Sequence, residues 1–257
     1  MDPFLTAMIA AGAFAGKDLV KVGSRLAERA FGPAADDLGE QLASWVPWRQ
    51  ENAGRIAGKA RRKAGAEAGP AEARTAKRVL EEGSYADDEL MAEYFSGVLS
   101  DSMKVGTDQA VPWAALVADM SASQIALHYV LYRAWAALLH DRDDVDLGQN
   151  AYRDKLELKC DLNEMQALLG DEFPWHHALI GLVRLDLIGA PYAIESAPDD
   201  GSAPFFLAML TLPGLELYSV ATGNGVEVVR NFSSIGVREG TYAGLRALES
   251  ARLPNLQ

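Results

Sequence analysis

Residues 161–221 read DLNEMQALLGDEFPWHHALIGLVRLDLIGAPYAIESAPDDGSAPFFLAMLTLPGLELYSVA, and this stretch decides the fold. It opens on a capping-box-like helix start, and Phe173-Pro174 begins a second helix that Gly189 closes. Two short apolar runs then indicate strands joined by a turn-rich segment, and Thr211 caps a last helix. This order of elements is expected of a winged helix-turn-helix. The predicted elements are helices 162–169 and 175–188, strands 192–195 and 205–210, and a helix from 212 to about 221.

A helical region precedes this stretch, and its predicted helices begin at recognisable N-terminal signals. An aspartate, a proline and a Ser-x-x-Gln capping box each suit the first turn of a helix. The helix that the capping box begins is the most hydrophobic long helix of the chain. The predicted helices are one from Asp87 or Asp88 to about Met103, a short one that starts at Val111-Pro112, and one over residues 125–140.

Residues 32–63 read GPAADDLGEQLASWVPWRQENAGRIAGKARRK and predict two helices of opposite charge. The first is acidic and amphipathic, with apolar residues at spacings of four and three on one face. Pro47 is expected to kink or end it, because proline removes a helical hydrogen bond. The second helix, over residues 48–68, is basic and is expected to be solvated. A further helix is predicted over residues 71–82.

The predicted fold class is mainly α, with an N-terminal helical region followed by a winged-helix-like α/β C-terminal domain. Beyond the winged helix, residues 226–229 indicate a strand and residues 242–251 a terminal helix. The predicted domains are an apolar helix at 1–31, a helical domain at 32–119, a winged-helix-like domain at 120–225, and a C-terminal strand and helix extension at 226–257.

The charge is distributed unevenly along the chain. The formal net charge is −12, to which residues 1–78 contribute +4 and residues 79–257 contribute −16. An acidic body argues against broad, salt-driven binding of nucleic acid by the C-terminal part.

Cysteine content and the N-terminus indicate a compartment. The single Cys160 excludes an intramolecular disulfide and fits a reducing cytosol. The apolar run over residues 3–16 follows Asp2 and lacks a basic n-region before it, which makes it a poor signal peptide. It is also shorter than the about 20 residues that span a bilayer. We therefore expect a cytoplasmic protein.

No catalytic or cofactor signature occurs in the sequence. It contains no Gly-x-Ser-x-Gly elbow, no Walker A motif and no dinucleotide-binding glycine fingerprint. His176 and His177 are adjacent, so on a helix their side chains point about 100° apart and do not suit one metal ion. The acidic run at 141–146 lacks the glycine and glutamate spacing of a calcium loop. We therefore expect a non-enzymatic protein without a cofactor or a bound metal.

The basic helix supplies a candidate contact for an anionic partner. Its cations follow Trp45 and Trp48, which suits an anionic membrane surface or a nucleic acid. Two alternatives stay open: a solvated helix that packs by its alanines and Ile56, and a helix that docks on the acidic body of its own chain. The candidate residues are Arg49, Arg55, Lys59, Arg61, Arg62 and Lys63.

Gly12 and Gly16 form a second candidate site, in the apolar N-terminal segment. A small-xxx-small spacing allows close contact between helices in membranes. In a soluble protein the same spacing favours a tight core crossing or self-association. The hypothesis is that this helix is sheltered at rest and, once released, associates with a membrane or with copies of itself.

The predicted winged helix raises the question of DNA binding. Its second helix carries one arginine, Arg184, and residues 192–210 carry no lysine or arginine. Because phosphate contacts supply most of the affinity of such domains, this composition predicts weak DNA binding. A winged helix that contacts protein or dimerises is favoured, and nucleic acid remains the alternative.

A series of motifs resembles the abortive-infection alpha family, a bacterial group otherwise known as a domain of unknown function. The family typically carries a GPxADExGE opening, a DDELQxMWAxLL-type helix, an LSPLEAKIL-like helix start and a C-terminal LTPxG element. Here Tyr94-Phe95 stands where the family more often has Met-Trp, and Leu212 is inserted in the last element. The matching stretches are GPAADDLGE at 32–40, the basic helix after Trp48, DDEL at 87–90, PW at 112–113, MSASQI at 120–125 and LTLPG at 210–214.

This resemblance, over about residues 30–225, implies a link to anti-phage defence, in which infected cells stop growing before the virus matures. It implies no catalytic residues. We therefore expect a non-enzymatic defence protein that acts through protein-protein or membrane contacts, with a protein partner or as a homo-oligomer. Membrane association would follow activation. The alternatives are a winged-helix DNA-binding transcriptional regulator and a structural subunit of a larger assembly.

Overall fold

The computed structural model describes residues 35–66, 68–105, 108–140, 142, 144–147, 152, 155–196, 203–225 and 245–256. Within these residues the chain is mainly α, and a three-stranded antiparallel sheet follows the helical region. The predicted fold class is thereby confirmed. The predicted helix at 1–31, with Gly12 and Gly16, and the predicted strand at 226–229 lie outside the described residues.

The described helices and strands are defined as follows. The helices are α1 (Ala35–Ala64), α2 (Ala73–Gly83), α3 (Glu89–Val105), α4 (Val111–Asp119), α5 (Ala122–Leu139), α6 (Leu162–Leu169), α7 (Trp175–Arg184) and α8 (Leu212–Ala221). A 3-10 turn, Asp108–Ala110, precedes α4. The strands are β1 (Glu157–Asp161), β2 (Gly189–Glu195) and β3 (Phe205–Met209).

Helix α1 continues through Pro47 as a single element of 30 residues. Pro47 therefore does not end the helix, and residues 48–64, predicted as a separate basic helix, belong to the same element. A proline inside a helix costs about 3 kcal/mol. Burial of Ala53, Ile56 and Ala60 on the face that packs along α3 offsets this cost, because tertiary packing supplies most helical stability in proteins.

The predicted helix starts of α3 and α5 are confirmed by their caps. Asp88 accepts a hydrogen bond from the backbone N–H of Met91 at 2.8 Å. Ser121 and Gln124 form the reciprocal capping box that the sequence predicts. These caps satisfy N–H groups that a helix leaves unpaired in its first turn.

The order α5, β1, α6, α7, β2, β3 is that of a winged helix-turn-helix, and β3 lies between β1 and β2. Phe206 of β3 stands opposite Cys160 of β1 and Ile194 of β2. Strand β1 was missed, because its alternation of buried Leu158 and Cys160 with charged residues spans only five positions. Helix α7 also ends four residues before the predicted end.

The early end of α7 has a backbone cause. Asp186 adopts a φ of 57°, in the left-handed region that stops a helix. The backbone N–H of Leu187 bonds to the carbonyl of Leu182, so the chain turns back across the helix end. Leu187 and Ile188, which the sequence assigns to the helix, are buried in the approach to β2.

The predicted helical domain and the predicted winged-helix-like domain share one hydrophobic core. Helix α5 lies at its centre, and thirteen of its eighteen residues are buried. Helix α5 packs against α3, α7 and α8, and α3 also packs against α8. Gly97 of α3 and Gly214 of α8 lie where backbones approach most closely, since a Cβ at either position would overlap a neighbouring carbonyl oxygen.

The described part of the C-terminal extension, residues 245–256, contains no helical turn. The helix predicted over residues 242–251 is therefore wrong over 245–251. This segment lies along β1, where Arg252 forms an antiparallel bridge with Lys159. Contacts with the winged helix take the place of the hydrogen bonds that a helix would make within itself.

Candidate functional site

Two of the predicted anion-contact residues bind the chain itself near the start of α3. The Arg49 guanidinium donates to the Ser84 hydroxyl at 2.9 Å. The Arg55 guanidinium donates to the Ala86 carbonyl at 2.9 Å and lies 3.3 Å from the Glu89 carboxylate. Both side chains therefore fix the loop between α2 and α3 onto α1.

Two further candidates form a half-buried group of ion pairs between α1 and α3. The Lys59 ammonium pairs with Glu89 and Glu93. The Lys63 ammonium lies 2.7 Å from the Glu93 carboxylate and donates to the carbonyls of Glu93 and Ala221, each at 2.8 Å. Because Ala221 ends α8, Lys63 joins α1, α3 and the C-terminus of α8, where positive charge is favoured. We call Lys59, Lys63, Glu89 and Glu93 the charged seam.

Glu93 and Lys59, two members of the charged seam, are held in their ionised forms. Burial alone would raise the pKa of Glu93, but the charges and hydrogen bonds of Lys63 and Lys59 outweigh it and hold the pKa below its usual 4.5. Burial alone would lower the pKa of Lys59, but its hydrogen bonds to Glu89 and Glu93 raise it above 10.5. The seam is therefore an internal connection between elements.

Arg61 and Arg62 lie exposed in the last turn of α1. The expected packing of this helix by its alanines and Ile56 is confirmed, since Ala53, Ile56 and Ala60 are buried. The expected solvation is confirmed for Arg61 and Arg62, whereas Arg49, Arg55 and the two lysines are half-buried against the chain itself. Of the six candidates on α1, the two exposed arginines are therefore the ones available to an anionic partner. The other four candidates, Arg49, Arg55, Lys59 and Lys63, bind residues of their own chain. This is the alternative in which the basic helix docks on the acidic body of the protein.

Helix α2 presents a second basic group, which sequence reasoning missed. Its cations, Arg74, Lys77 and Arg78, are three residues and then one residue apart, so they lie on the solvent side of the helix. The signal was present in the run ARTAKR at 73–78, whose three cations have no intervening acidic residue. A cleft of about 420 Å³ lies beside this face and is lined by Arg74, Lys77, Arg78, Glu81, Glu82 and Val111.

Helix α7 and strand β2 each carry exposed residues of the winged helix, and we call these residues together the α7–β2 surface. The inner side of α7 is buried through Ala178, Leu179 and Leu182. Residues 156–225 carry two basic and ten acidic side chains, a net charge of −8, so this surface lies in an acidic region. The exposed residues of the surface are His176, His177 and Arg184 on α7 and Ala190, Pro191, Tyr192 and Glu195 on β2.

Trp175 at the start of α7 joins this surface to the core. Its ring lies 4.8 Å from that of Phe173 and 6.2 Å from that of Phe206, measured between centroids. The indole N–H is buried and has no hydrogen-bond partner among the described residues. Aromatic packing therefore fixes the first turn of α7 on the sheet.

A buried polar group connects α3, α5 and α8. His128 donates from Nε2 to the Gly214 carbonyl at 3.0 Å and accepts at Nδ1 from the Tyr94 hydroxyl at 2.6 Å. Burial lowers the pKa of His128 to about 3, against the effect of the Gly214 bond, so the imidazole is neutral. This tautomer satisfies both ring nitrogens away from solvent. The group fixes the relative position of three helices.

We expect the Cys160 thiol to be unreactive in the folded protein. Burial raises its pKa to about 12, and the charges of Glu164 and Asp161 act in the same direction. At pH 8 roughly one thiol in ten thousand is then ionised, and the thiolate is the reactive form. Maleimide labelling followed by mass spectrometry should leave the native protein unmodified.

A surface cysteine provides the matched control for this labelling. Ser196→Cys places a thiol at an exposed position and should be modified within minutes. Protein unfolded in urea should be modified at Cys160. Rapid stoichiometric labelling of Cys160 in the native protein would contradict the burial described above.

In the described part of the chain, no group of three or more His, Cys, Asp or Glu side chains is placed to hold a metal ion. No single described helix is long and apolar enough to cross a membrane; residues 108–119 and α5 meet the length and composition together, but are bent by 118°. Comparison with protein-family models, curated proteins and solved structures finds no match.

Proposed function

We propose that this chain is a non-enzymatic bacterial anti-phage protein of the abortive-infection alpha type, which acts by binding another protein through the α7–β2 surface. The observation that carries the proposal is the composition of that surface. It offers two histidines, a tyrosine, one arginine and one glutamate within a region of net charge −8. Aromatic and histidine side chains with few competing cations suit a protein partner better than a phosphate backbone.

The anti-phage setting rests on the resemblance of the sequence motifs. Among the residues that carry the resemblance, Leu90 is buried in α3, Asp88 caps α3 and Ser121 caps α5. Such residues specify packing, so they support a shared architecture rather than a shared chemistry. A function through contacts must therefore use exposed residues, and α7 stands in the position of the helix that a helix-turn-helix places against its partner.

A phage challenge of cells that express the protein tests the proposal. We expect wild-type protein to reduce plaque formation and Tyr192→Glu to abolish the reduction at equal expression. Loss of an aromatic anchor from the centre of an interface costs about 2 kcal/mol, roughly 30-fold in affinity. Tyr192 is 37% exposed, so its replacement should leave the melting temperature close to that of the wild type.

Tyr85→Glu is the matched control, because Tyr85 is also an exposed tyrosine, 52% exposed, and lies between α2 and α3. It stacks beneath Arg49, whose guanidinium lies 4.0 Å from the ring centroid, and this contact contributes about 0.5–1 kcal/mol. Tyr85→Glu should therefore keep the protection. If the wild-type protein does not reduce plaque formation, the anti-phage setting is contradicted. If Tyr192→Glu still reduces it, the role of the α7–β2 surface is contradicted.

The alternatives predict different outcomes of simple measurements. A DNA-binding regulator should shift a DNA fragment at moderate salt and lose the shift on Arg184→Ala, because Arg184 is the one cation of α7. A membrane-acting protein should pellet with membranes after phage challenge. A structural subunit should elute within a larger assembly of defined mass and give no phage phenotype.

A further inference from the structure

Residues 245–256, the C-terminal segment, lie on the edge of β1 as a bound peptide would. Arg252 and Lys159 exchange two main-chain hydrogen bonds, of 2.9 Å and 3.0 Å. They form a bridge at the free edge of β1, since the other edge pairs with β3. Addition of an extended segment to an exposed sheet edge is a common mode of peptide recognition.

The N-terminus of α6 holds the middle of the C-terminal segment. The Glu164 carboxylate accepts hydrogen bonds from the backbone N–H groups of Glu249 and Ser250, at 2.8 Å and 2.9 Å. It also accepts from the Ser250 hydroxyl at 2.5 Å, while that hydroxyl accepts from the Asp161 N–H at 2.9 Å. One carboxylate thus satisfies three donors of the segment, and charge-assisted bonds of this kind are among the stronger ones.

Two leucines anchor the start of the segment. Leu245 and Leu248 are each 7% exposed and belong to the hydrophobic core. The Arg133 guanidinium also donates to the Leu245 carbonyl, at 3.3 Å. The edge of β1, the Glu164 carboxylate and the two leucine sites together form a binding groove, which we call the β1 groove.

We propose that the β1 groove also binds the C-terminal segment of a second copy of the chain, so that two copies exchange their segments in a symmetric dimer. The sequence that fits this groove is residues 245–256, and every copy carries it. An exchanged dimer makes the same hydrogen bonds and leucine contacts as the single chain. Exchange of an identical element is a low-cost route to a dimer.

The length of the connection permits the exchange. Nineteen residues lie between Gly225 and Leu245. A chain of that length can span at most about 65 Å. A compact protein of this size has a radius of gyration of about 18 Å, hence a diameter of about 45 Å. The connection is therefore long enough to reach the β1 groove of a neighbouring molecule.

Concentration then decides between the two arrangements. A tethered segment has an effective concentration in the millimolar range at its own groove. The single chain is therefore favoured when the protein is dilute, and the exchanged dimer grows as the protein concentration rises towards that range. This inference is independent of the anti-phage proposal, because it concerns contacts among residues 159–164 and 245–256.

Two single-cysteine variants of the full chain provide the test. One carries Lys159→Cys and the other Arg252→Cys, both in a Cys160→Ala background. Directly hydrogen-bonded antiparallel partners have Cα atoms about 5.5 Å apart, within the range that a disulfide bridges. When the variants are mixed and oxidised with diamide, a 159–252 disulfide can form only between two molecules. We expect such a heterodimer, in a yield that increases from about 10 μM to about 1 mM protein.

The double variant, Lys159→Cys with Arg252→Cys, is the matched control. It should form an intramolecular disulfide in dilute solution, which proves that the geometry permits the bond. A double variant that cross-links within the monomer, together with mixtures that give no 159–252 heterodimer at any concentration, would overturn the proposal.

Light scattering of unmodified protein decides the question if the cysteine variants do not fold. A dimer that increases with concentration and is lost when residues 245–257 are deleted supports segment exchange, because the exchanged segment is then missing. A protein that is monomeric throughout, or a dimer that persists after the deletion, overturns it.

Discussion

Gly97→Ala should lower the stability of the protein by about 3 kcal/mol, the upper part of the range for overpacked cores. A Cβ at this position would lie 2.5 Å from the carbonyl carbon of Ala221 and closer still to the carbonyl oxygens of Val220 and Ala221. These are backbone atoms at the end of α8, so they cannot move aside as a flexible side chain would. For a protein of this size the melting temperature should fall by roughly 6–12 °C.

Gly54→Ala is the matched control for this substitution. Gly54 lies on the exposed face of α1, and a Cβ there would meet nothing within 4 Å. Alanine favours a helix interior over glycine by about 0.5–1 kcal/mol, so the control should be slightly more stable than the wild type. Thermal unfolding followed by circular dichroism compares the two. If Gly97→Ala melts at or above the wild-type temperature, α3 and α8 are not as close as described.

Glu93→Gln should reduce the free energy of unfolding by about 3 kcal/mol at neutral pH, because breaking a buried ion pair leaves its partner charged and unpaired. The side chains of Glu93 and Lys63 are only 8% and 7% exposed. Glutamine has the same shape, so the loss reports the charge. Glu89→Gln is the control, since that carboxylate is 46% exposed and its pairs should contribute less than about 1 kcal/mol. Urea unfolding measures both.

The contribution of Glu93 should also depend on pH in a defined direction. The folded state holds the pKa of Glu93 below its usual 4.5. The stabilisation is therefore complete above that value and is lost as the pH falls through the lower, folded-state pKa. The difference between wild type and Glu93→Gln should shrink as the pH is lowered from about 7 to about 3. A difference independent of pH would show that the charge of Glu93 does not stabilise the fold.

Local signals in the sequence were sufficient to predict most of the helices. Asp88, the capping box at Ser121 and the cap at Thr211 each act through hydrogen bonds within a few residues, so their effect can be predicted from neighbouring positions. The winged-helix order followed from these starts and from two apolar runs. Fold class was accessible because it depends on local patterns.

Features that depend on distant contacts could not be predicted in the same way. The continuity of α1 through Pro47 depends on packing against α3, and the irregular path of residues 245–256 depends on the edge of β1. The basic helix is the clearest case. Lys59 and Lys63 resemble solvated surface residues until α3 places Glu93 opposite them, 30 or more residues further along the chain.

The central position of α5 bears on how the molecule can be divided. Ile125, Tyr132 and Trp135 are buried, and they form part of a core shared by the N-terminal helices and the winged helix. Division of the chain after Asp119 would separate α3 from its contacts with α5 and expose a large apolar face on each fragment. The winged helix is therefore not a detachable module that could be transplanted to another protein. A fragment chosen for expression should therefore contain the whole cooperative unit, from α1 to α8.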